Sequence, residues 1–129
     1  MILLCDEDVG TGIPKALSLV GYKTRYLHKL GLAGRPDTEW LAKAGQNGWL
    51  VFSYNKKMLR VPSERDTIIR EKVGIVFLTT GTEHTPTVLK LLLSKWDILK
   101  FLWDTEKRPF ARFLSPNGRM SHKYRDYQL

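Results

Sequence analysis

The first residues whose side chains could bind a metal ion or take part in catalysis are three consecutive acids. The chain begins MILLCDEDVGTG, so Asp6, Glu7 and Asp8 directly follow an apolar run. Adjacent carboxylates repel one another, and a divalent cation relieves that repulsion; carboxylate oxygens suit Mg²⁺ or Mn²⁺. Side chains alternate along an extended chain, so Glu7 is expected to point away from Asp6. The alternative is that Asp6 only caps a strand end and Asp8 is a solvated turn residue.

Other polar side chains follow later segments of the chain. Asp37 and Glu39 stand at a helix start, where they could also serve only as N-cap and as complement to the helix dipole. Two further groups follow apolar runs: Ser53, Asn55, Lys56 and Lys57 after one, and Thr79, Thr80 and Thr82 after the next. In an open parallel sheet, ligands bind beyond the carboxyl ends of the strands. The sequence therefore predicts Asp6, Asp8, Asp37 and Glu39 as metal ligands at one sheet edge.

Four apolar runs alternate with helical patterns, and the strands and helices they predict would place the polar side chains named above. The runs cover 2–5, 23–27, 49–52 and 75–78, and near-continuous apolar strands are typical of a parallel sheet covered on both faces. Helices are predicted from Gly12, from Asp37 as N-cap, from Pro62 with Ser63 as N-cap, and over about 85–106 with a division at Ser94. A hairpin joins 109–114 to 119–121. The predicted fold is α/β, with three α/β/α layers and a mainly parallel sheet.

Length and composition limit the class of protein. The 129 residues fit one domain, over 1–121, followed by a basic and aromatic tail over 122–129. A single cysteine, Cys5, cannot form an intramolecular disulfide, and with His28, His84 and His122 scattered along the chain it builds no zinc site. Without a signal peptide or a membrane-length apolar run, the expected location is the cytoplasm.

The charge indicates a polyanionic partner. Twenty-one Lys and Arg oppose thirteen Asp and Glu, a net charge of +8. Such an excess favours nucleic acid, although a solvated basic surface that keeps the protein soluble is the alternative. Carboxylates gathered at a metal within a basic protein describe a phosphodiesterase site.

The basic residues expected to contact nucleic acid lie in two segments, 56–60 and the C-terminal part of the chain. The C-terminal stretch 107–129 holds six Lys or Arg and one acid, and Tyr124 and Tyr127 are predicted to be free for base stacking. An antitoxin or a second subunit is an alternative partner for this tail. The predicted nucleic-acid-binding residues are Lys56, Lys57, Arg60, Lys123 and Arg125.

The order and spacing of these motifs resemble a known family. The runs CDEDVGTGIPKALSLVGY, RPDTEWLAKAGQNGWLVFSYNKKM, VFLTTGTE and RPFARFLSPNGRM are similar to PIN-like domains, in the branch that includes toxins of VapC-type toxin–antitoxin systems. The resemblance extends from Met1 to about Met120.

The resemblance implies an Mg²⁺- or Mn²⁺-dependent endoribonuclease, often dimeric and often inhibited by an antitoxin. Carried over to this chain, Asp6 and Asp37 are the catalytic acids. Relatives usually have an aspartate in a Thr-x-Asp context after the third strand, and the matching segment here ends in Asn55. An amide offers a carbonyl oxygen but no charge, and Asp8 and Glu39 would compensate for it.

Two other function classes remain open. A binding protein would keep the fold and the RNA affinity but lack cleavage because of Asn55. A receiver-type phosphorylation switch also has acids after its first strand. A receiver needs an aspartate after the third strand, however, where this chain has Asn55, and a charge of +8 is unusual for such a module.

Overall fold

The computed structural model describes residues 1–79 and 83–129, so the predicted edge residues Thr80 and Thr82 lie outside the described part. Strands and helices alternate as the apolar runs predict. The elements are β1 (Leu3–Cys5), α1 (Gly12–Leu19), β2 (Thr24–Tyr26), α2 (Asp37–Asn47), β3 (Leu50–Ser53), α3 (Pro62–Arg70), β4 (Gly74–Leu78), α4 (Thr85–Thr105), β5 (Phe110–Leu114) and β6 (Met120–Ser121). Short 3₁₀ turns cover Glu7–Val9 and Lys56–Leu59.

The strands form one sheet in the order β2-β1-β3-β4-β5-β6. The first five are parallel, and β6 runs antiparallel to β5, which confirms the hairpin. β1 lies between β2 and β3, and Cys5 pairs with Tyr26 on one side and Phe52 on the other. The residue after Cys5 therefore emerges at the carboxyl edge, between two neighbouring strands.

Both faces of the sheet are covered, which confirms the three-layer α/β/α architecture. Leu3 and Cys5 belong to a core cluster that includes buried residues of α1 and α4, whereas Leu4 belongs to a second cluster with α2 and α3. All three side chains of β1 are completely buried. A strand buried on both faces has no polar face, and this explains why the run reads as continuously apolar.

Three predicted helix details are wrong. Asp37 is the first residue of α2 rather than its N-cap, and its Oδ1 accepts a hydrogen bond from the Trp40 indole at 2.9 Å. Ser63 lies within α3, which begins at Pro62. α4 is not divided at Ser94, because the serine hydroxyl donates to the Leu91 carbonyl at 2.9 Å and is satisfied within the helix.

The C-terminal segment 122–129 packs on the domain. The Tyr124 ring lies 6.1 Å from Phe113 and stacks on Tyr127 at 6.4 Å with an interplanar angle of 9°. The Arg60 guanidinium lies 3.9 Å above the Tyr127 ring. The expectation that both tyrosine rings are free for bases is therefore wrong, since these contacts occupy them.

None of the helices within residues 1–79 and 83–129 combines the length and the apolar character that crossing a bilayer requires.

The packing of α2 on α3 generates a stability prediction. A Cβ at Gly45 would overlap the Glu71 carbonyl oxygen and lie 2.8 Å from the Glu71 Cβ. The clash involves backbone, so Gly45→Ala should lower the free energy of unfolding by about 1–2 kcal/mol, even though alanine is the better helix former by about 1 kcal/mol. Urea denaturation measures the change.

The matched control for Gly45→Ala is the neighbouring exposed residue of α2. Gln46→Ala should change the free energy of unfolding by less than about 0.5 kcal/mol. Equal stability of the two variants would contradict the close approach of α2 to Glu71.

Candidate functional site

Asp6 stands at the carboxyl end of β1 and is only 7% exposed. Its Oδ1 accepts a hydrogen bond from the Glu7 amide at 2.7 Å, so it does cap the 3₁₀ turn that follows. Its Oδ2 accepts from the Ser53 hydroxyl at 2.8 Å. Burial raises the pKa of Asp6, while the bonds from Ser53 and the Glu7 amide oppose that rise. Asp6 can therefore cap the 3₁₀ turn with one carboxylate oxygen and still belong to a functional site.

Asp8 shares the same serine. Its Oδ2 lies 3.4 Å from Ser53 Oγ and accepts from the Tyr54 amide at 3.1 Å. Burial, followed by the charge of Asp6, raises the pKa of Asp8 to about 7. The residue as a whole is exposed, but its carboxylate is held by the Ser53 and Tyr54 contacts, and with a pKa of about 7 it is poised between its two protonation states near neutral pH.

An open cleft of about 510 Å³ brings the predicted acids together. It is lined by Asp6, Glu7, Asp8, Asp37 and Asn55. The expectation that Glu7 points away from Asp6 is wrong, because the chain enters a 3₁₀ turn after Asp6 and the alternation of extended chain ends there. The Glu7 carboxylate also accepts a hydrogen bond from the Gly34 amide, which fastens the 27–36 loop to the cleft.

Glu64 is the functional candidate that sequence reasoning missed. It lies in the first turn of α3, and burial, followed by the nearby charge of Asp37, raises its pKa to about 7. Its Oε2 is buried and has no hydrogen-bond partner within the described residues. In the sequence Glu64 looks like an acid that complements a helix dipole, and only the packing of α3 beside α2 reveals it.

Glu39 and Thr79 are not among the residues that line the cleft. Glu39 makes a two-point ion pair with Arg35, at 2.9 and 3.0 Å, and its side chain is 41% exposed. Thr79 is buried, and its amide donates to the Leu114 carbonyl. Of the four predicted metal ligands, the structure thus gathers Asp6, Asp8 and Asp37.

The basic candidates fall into different places. Lys56 donates to the Leu78 carbonyl at 3.1 Å, and its Nζ lies 5.6 Å from the Tyr124 ring. Burial and the nearby Arg125 lower the pKa of Lys56, while Asp8 opposes this change. Lys56 therefore lies between the acid cleft and the C-terminal segment.

The remaining basic candidates lie farther along the surface. Arg60 pairs with Asp126, and Arg125 lies 5.1 Å from the Tyr124 ring. Lys57 is exposed on the 3₁₀ turn. Lys123 lines a separate groove with residues of α3 and β5.

The atoms that the cleft offers as metal ligands are of the type that a hard cation prefers. The carboxylates and the Asn55 amide that line the cleft all offer oxygens. Glu64 is not among the lining residues, but its buried Oε2 has no hydrogen-bond partner within the described residues. Within residues 1–79 and 83–129, however, no three His, Cys, Asp or Glu side chains are grouped closely enough to hold a metal ion. Mg²⁺ keeps several waters and needs only one or two carboxylates, so the donor set still fits.

Ionisation of Asp8 and Glu64 should destabilise the metal-free fold as the pH rises. Their pKa values of about 7 exceed the ordinary values of 3.8 and 4.5. The folded state therefore holds protons that the unfolded state has released, so the free energy of unfolding should fall between about pH 4 and pH 8. Urea unfolding in EDTA at stepped pH measures this fall, and the double variant Asp8→Asn, Glu64→Gln should flatten it.

The control for the pH series removes acids that lie in exposed ion pairs. Glu39→Gln and Asp66→Asn should leave the fall in place, since both carboxylates pair with arginines on the surface. An unchanged pH profile in the cleft variant would rule out the perturbed pKa values.

Comparison with known proteins supports the family resemblance. A family model described as "PIN like domain" matches residues 1–80, which is more than half of the chain. The matched region includes β1 to β4 and every acid of the cleft. Neither the curated proteins nor the solved structures gave a match. The chain belongs to the PIN-like domain family.

Proposed function

We propose that the chain is an Mg²⁺- or Mn²⁺-dependent endoribonuclease, and the VapC-type toxin of a toxin–antitoxin pair. PIN-like domains are generally nucleases and typically use divalent metals. The observation that carries the proposal is the acid cleft, in which Asp6, Asp8 and Asp37 lie at one sheet edge. Glu64 adds an unpaired buried oxygen beside Asp37.

Each acid has a distinct part in this proposal. Asp6 is held by Ser53 and the Glu7 amide, so its orientation is fixed before any ligand arrives. Burial, followed by the nearby charge of Asp37 and more weakly that of Asp6, raises the pKa of Glu64 in the free protein. A bound cation supplies the neutralisation of phosphate charge and the lowered pKa of an attacking water. Asp8, with a pKa of about 7, can accept a proton near neutral pH.

Basic residues beside the cleft are proposed to hold the RNA backbone. Lys56 lies nearest the acids, and Arg60 and Arg125 continue the positive surface along the C-terminal segment. Lys57 and Lys123 are proposed as outer phosphate contacts. The net charge of +8 supports attraction of a polyanion from a distance.

The proposal also includes two protein partners and a location in the cell. A second copy of the chain and an antitoxin protein are the proposed protein partners, and the cytoplasm is the proposed location. Apolar side chains on α4 support a protein partner, since Phe101 is 69% exposed and Ile98 is 46% exposed. The helices of the described residues give no support to a membrane partner.

A catalytically weak RNA-binding protein is the second candidate. Asn55 lines the acid cleft, at the position where relatives usually have an aspartate. Its amide carbonyl can bind a cation but does not add a negative charge. This reading keeps the basic surface and predicts binding without cleavage.

Cleavage of labelled RNA in Mg²⁺ or Mn²⁺ tests the enzyme proposal. Asp6→Asn and Asp37→Asn should each reduce the cleavage rate at least ~10-fold, because even partners of metal ligands are worth 10–100-fold. Glu39→Gln is the matched control and should retain the rate of the wild type, since Glu39 pairs with Arg35. RNA binding without cleavage by the wild-type protein would select the second candidate.

Restoring the acid at position 55 should strengthen metal binding. Asn55→Asp adds a charge to the cleft and should raise the Mn²⁺ affinity measured by calorimetry roughly 10-fold. Gln46→Glu adds the same charge on the exposed part of α2 and should leave the affinity unchanged. Equal affinities for the wild type and Asn55→Asp would show that Asn55 is not at the metal position.

A further inference from the structure

A second concave surface lies beside β2, the edge strand next to β1. It is a groove of about 620 Å³, and its lining includes Lys15, Arg25, Tyr26 and Lys29. The three basic side chains are exposed, and none forms an ion pair with a carboxylate within residues 1–79 and 83–129. This β2 groove is therefore a concentration of positive charge that the fold itself does not neutralise.

The β2 groove and the acid cleft both adjoin one small cavity. This cavity, of about 140 Å³, shares Asp6 and Glu7 with the cleft and Tyr26 with the groove. The strand register explains this proximity, since Tyr26 pairs with Cys5. Neighbouring strands lie about 4.8 Å apart, so the Tyr26 backbone lies one strand spacing from Cys5, the residue that precedes Asp6.

Tyr26 supplies a ring where the two surfaces join. Its side chain is half-buried and lines both the small cavity and the groove. Lys15 Nζ lies 6.0 Å from the centre of the ring. A ring with a nearby cation, followed by further cations, is the arrangement that binds an unpaired base and the phosphates beside it.

We propose that the β2 groove binds the single-stranded nucleic acid that leads into the acid cleft, with Tyr26 stacking on a base and Lys15, Arg25 and Lys29 contacting phosphates. This inference deepens the proposed function and rests on it for the identity of the cleft. A small anion would not need the path from the groove to the acids. The groove that holds Lys123 shares no lining residue with the acid cleft or with the small cavity, whereas the β2 groove shares Tyr26 with that cavity.

The salt dependence of binding tests the phosphate contacts. The probe is a fluorescein-labelled single-stranded RNA of about 12 nucleotides, measured by anisotropy in EDTA so that metal-dependent cleavage is stopped. Each phosphate contact contributes a slope of about 0.7 in log K against log salt. The triple variant Lys15→Ala, Arg25→Ala, Lys29→Ala should therefore lower the slope by about 2.

The matched control removes the same charge elsewhere. Lys23→Ala, Lys90→Ala and Lys100→Ala are at exposed positions outside the lining of the β2 groove and the acid cleft. This variant should keep the slope of the wild type to within about 0.7, the value of one contact. Equal loss of slope in both triple variants would overturn the proposal, because the effect would then reflect net charge alone.

Substitutions at Tyr26 test the stacking contact. Tyr26→Leu should weaken RNA binding roughly 5- to 100-fold, whereas Tyr26→Phe keeps the ring and should bind as the wild type does. Thermal unfolding checks that both variants are folded. A Tyr26→Leu variant that is folded and binds RNA normally would exclude base stacking at this position.

Two further arms separate the possible outcomes. Single-stranded DNA of the same sequence shows whether the groove requires a 2′-hydroxyl, and binding of either strand through the groove supports the proposal. A duplex that competes as well as the single strand would overturn it, because paired bases cannot stack on Tyr26. RNA binding that is lost in the groove variant, without cleavage by the wild type, would refute only the proposal that the protein is an enzyme. Cleavage that is unchanged in the groove variant would refute only this inference.

Discussion

The arrangement of the acids depends on one hydroxyl group. Ser53 lies at the end of β3, is fully buried, and places its Oγ 2.8 Å from Asp6 and 3.4 Å from Asp8. The same oxygen accepts a hydrogen bond from the Asn55 amide at 3.0 Å. One side chain therefore sets the positions of two carboxylates and of the backbone that carries Asn55. Without the Ser53 hydroxyl and the Glu7 and Tyr54 amides as hydrogen-bond donors, the like charges of Asp6 and Asp8 would drive the two carboxylates apart toward solvent.

The position of β1 explains why this edge of the sheet became a cleft. β1 lies between β2 and β3 and delivers Asp6 into a notch, while α2 and α3 bring Asp37 and Glu64 from one face. Positive charge lies on both sides of the notch, with the β2 groove on one side and Lys56 on the other. In the proposed function, this distribution of charge attracts a flexible polyanion from both sides and repels it only at its centre, where the proposed cation would bind.

The sequence predicted those features that depend on local order and alternation. The apolar runs located the parallel strands, and the rule for carboxyl edges placed Asp6, Asp37 and Asn55 at one cleft. Features set by packing between distant elements were missed. Glu64 carries no strand-end signal, and the burial of its carboxyl comes from contacts that no local pattern encodes.

The other errors have similar physical causes. Glu7 turned toward the cleft because a 3₁₀ turn replaced extended chain. Tyr124 stacks on Tyr127, and Arg60 lies over the Tyr127 ring. The sequence did not predict these contacts, because a basic and aromatic segment is equally compatible with a free tail. Ser94 satisfied its hydroxyl within α4, so a residue typical of caps did not divide the helix.

The distance along the chain between Asp6 and Ser53 has a consequence for folding kinetics. The two residues are 47 positions apart, and the strands that carry them are parallel, so they meet only after the intervening crossover has formed. The hydrogen bond between Asp6 and Ser53 is thus absent from the unfolded chain and forms when β3 docks on β1. A ligand that contacts Asp6 together with Asn55, which follows β3, binds only the native arrangement and therefore stabilises the pairing of these strands.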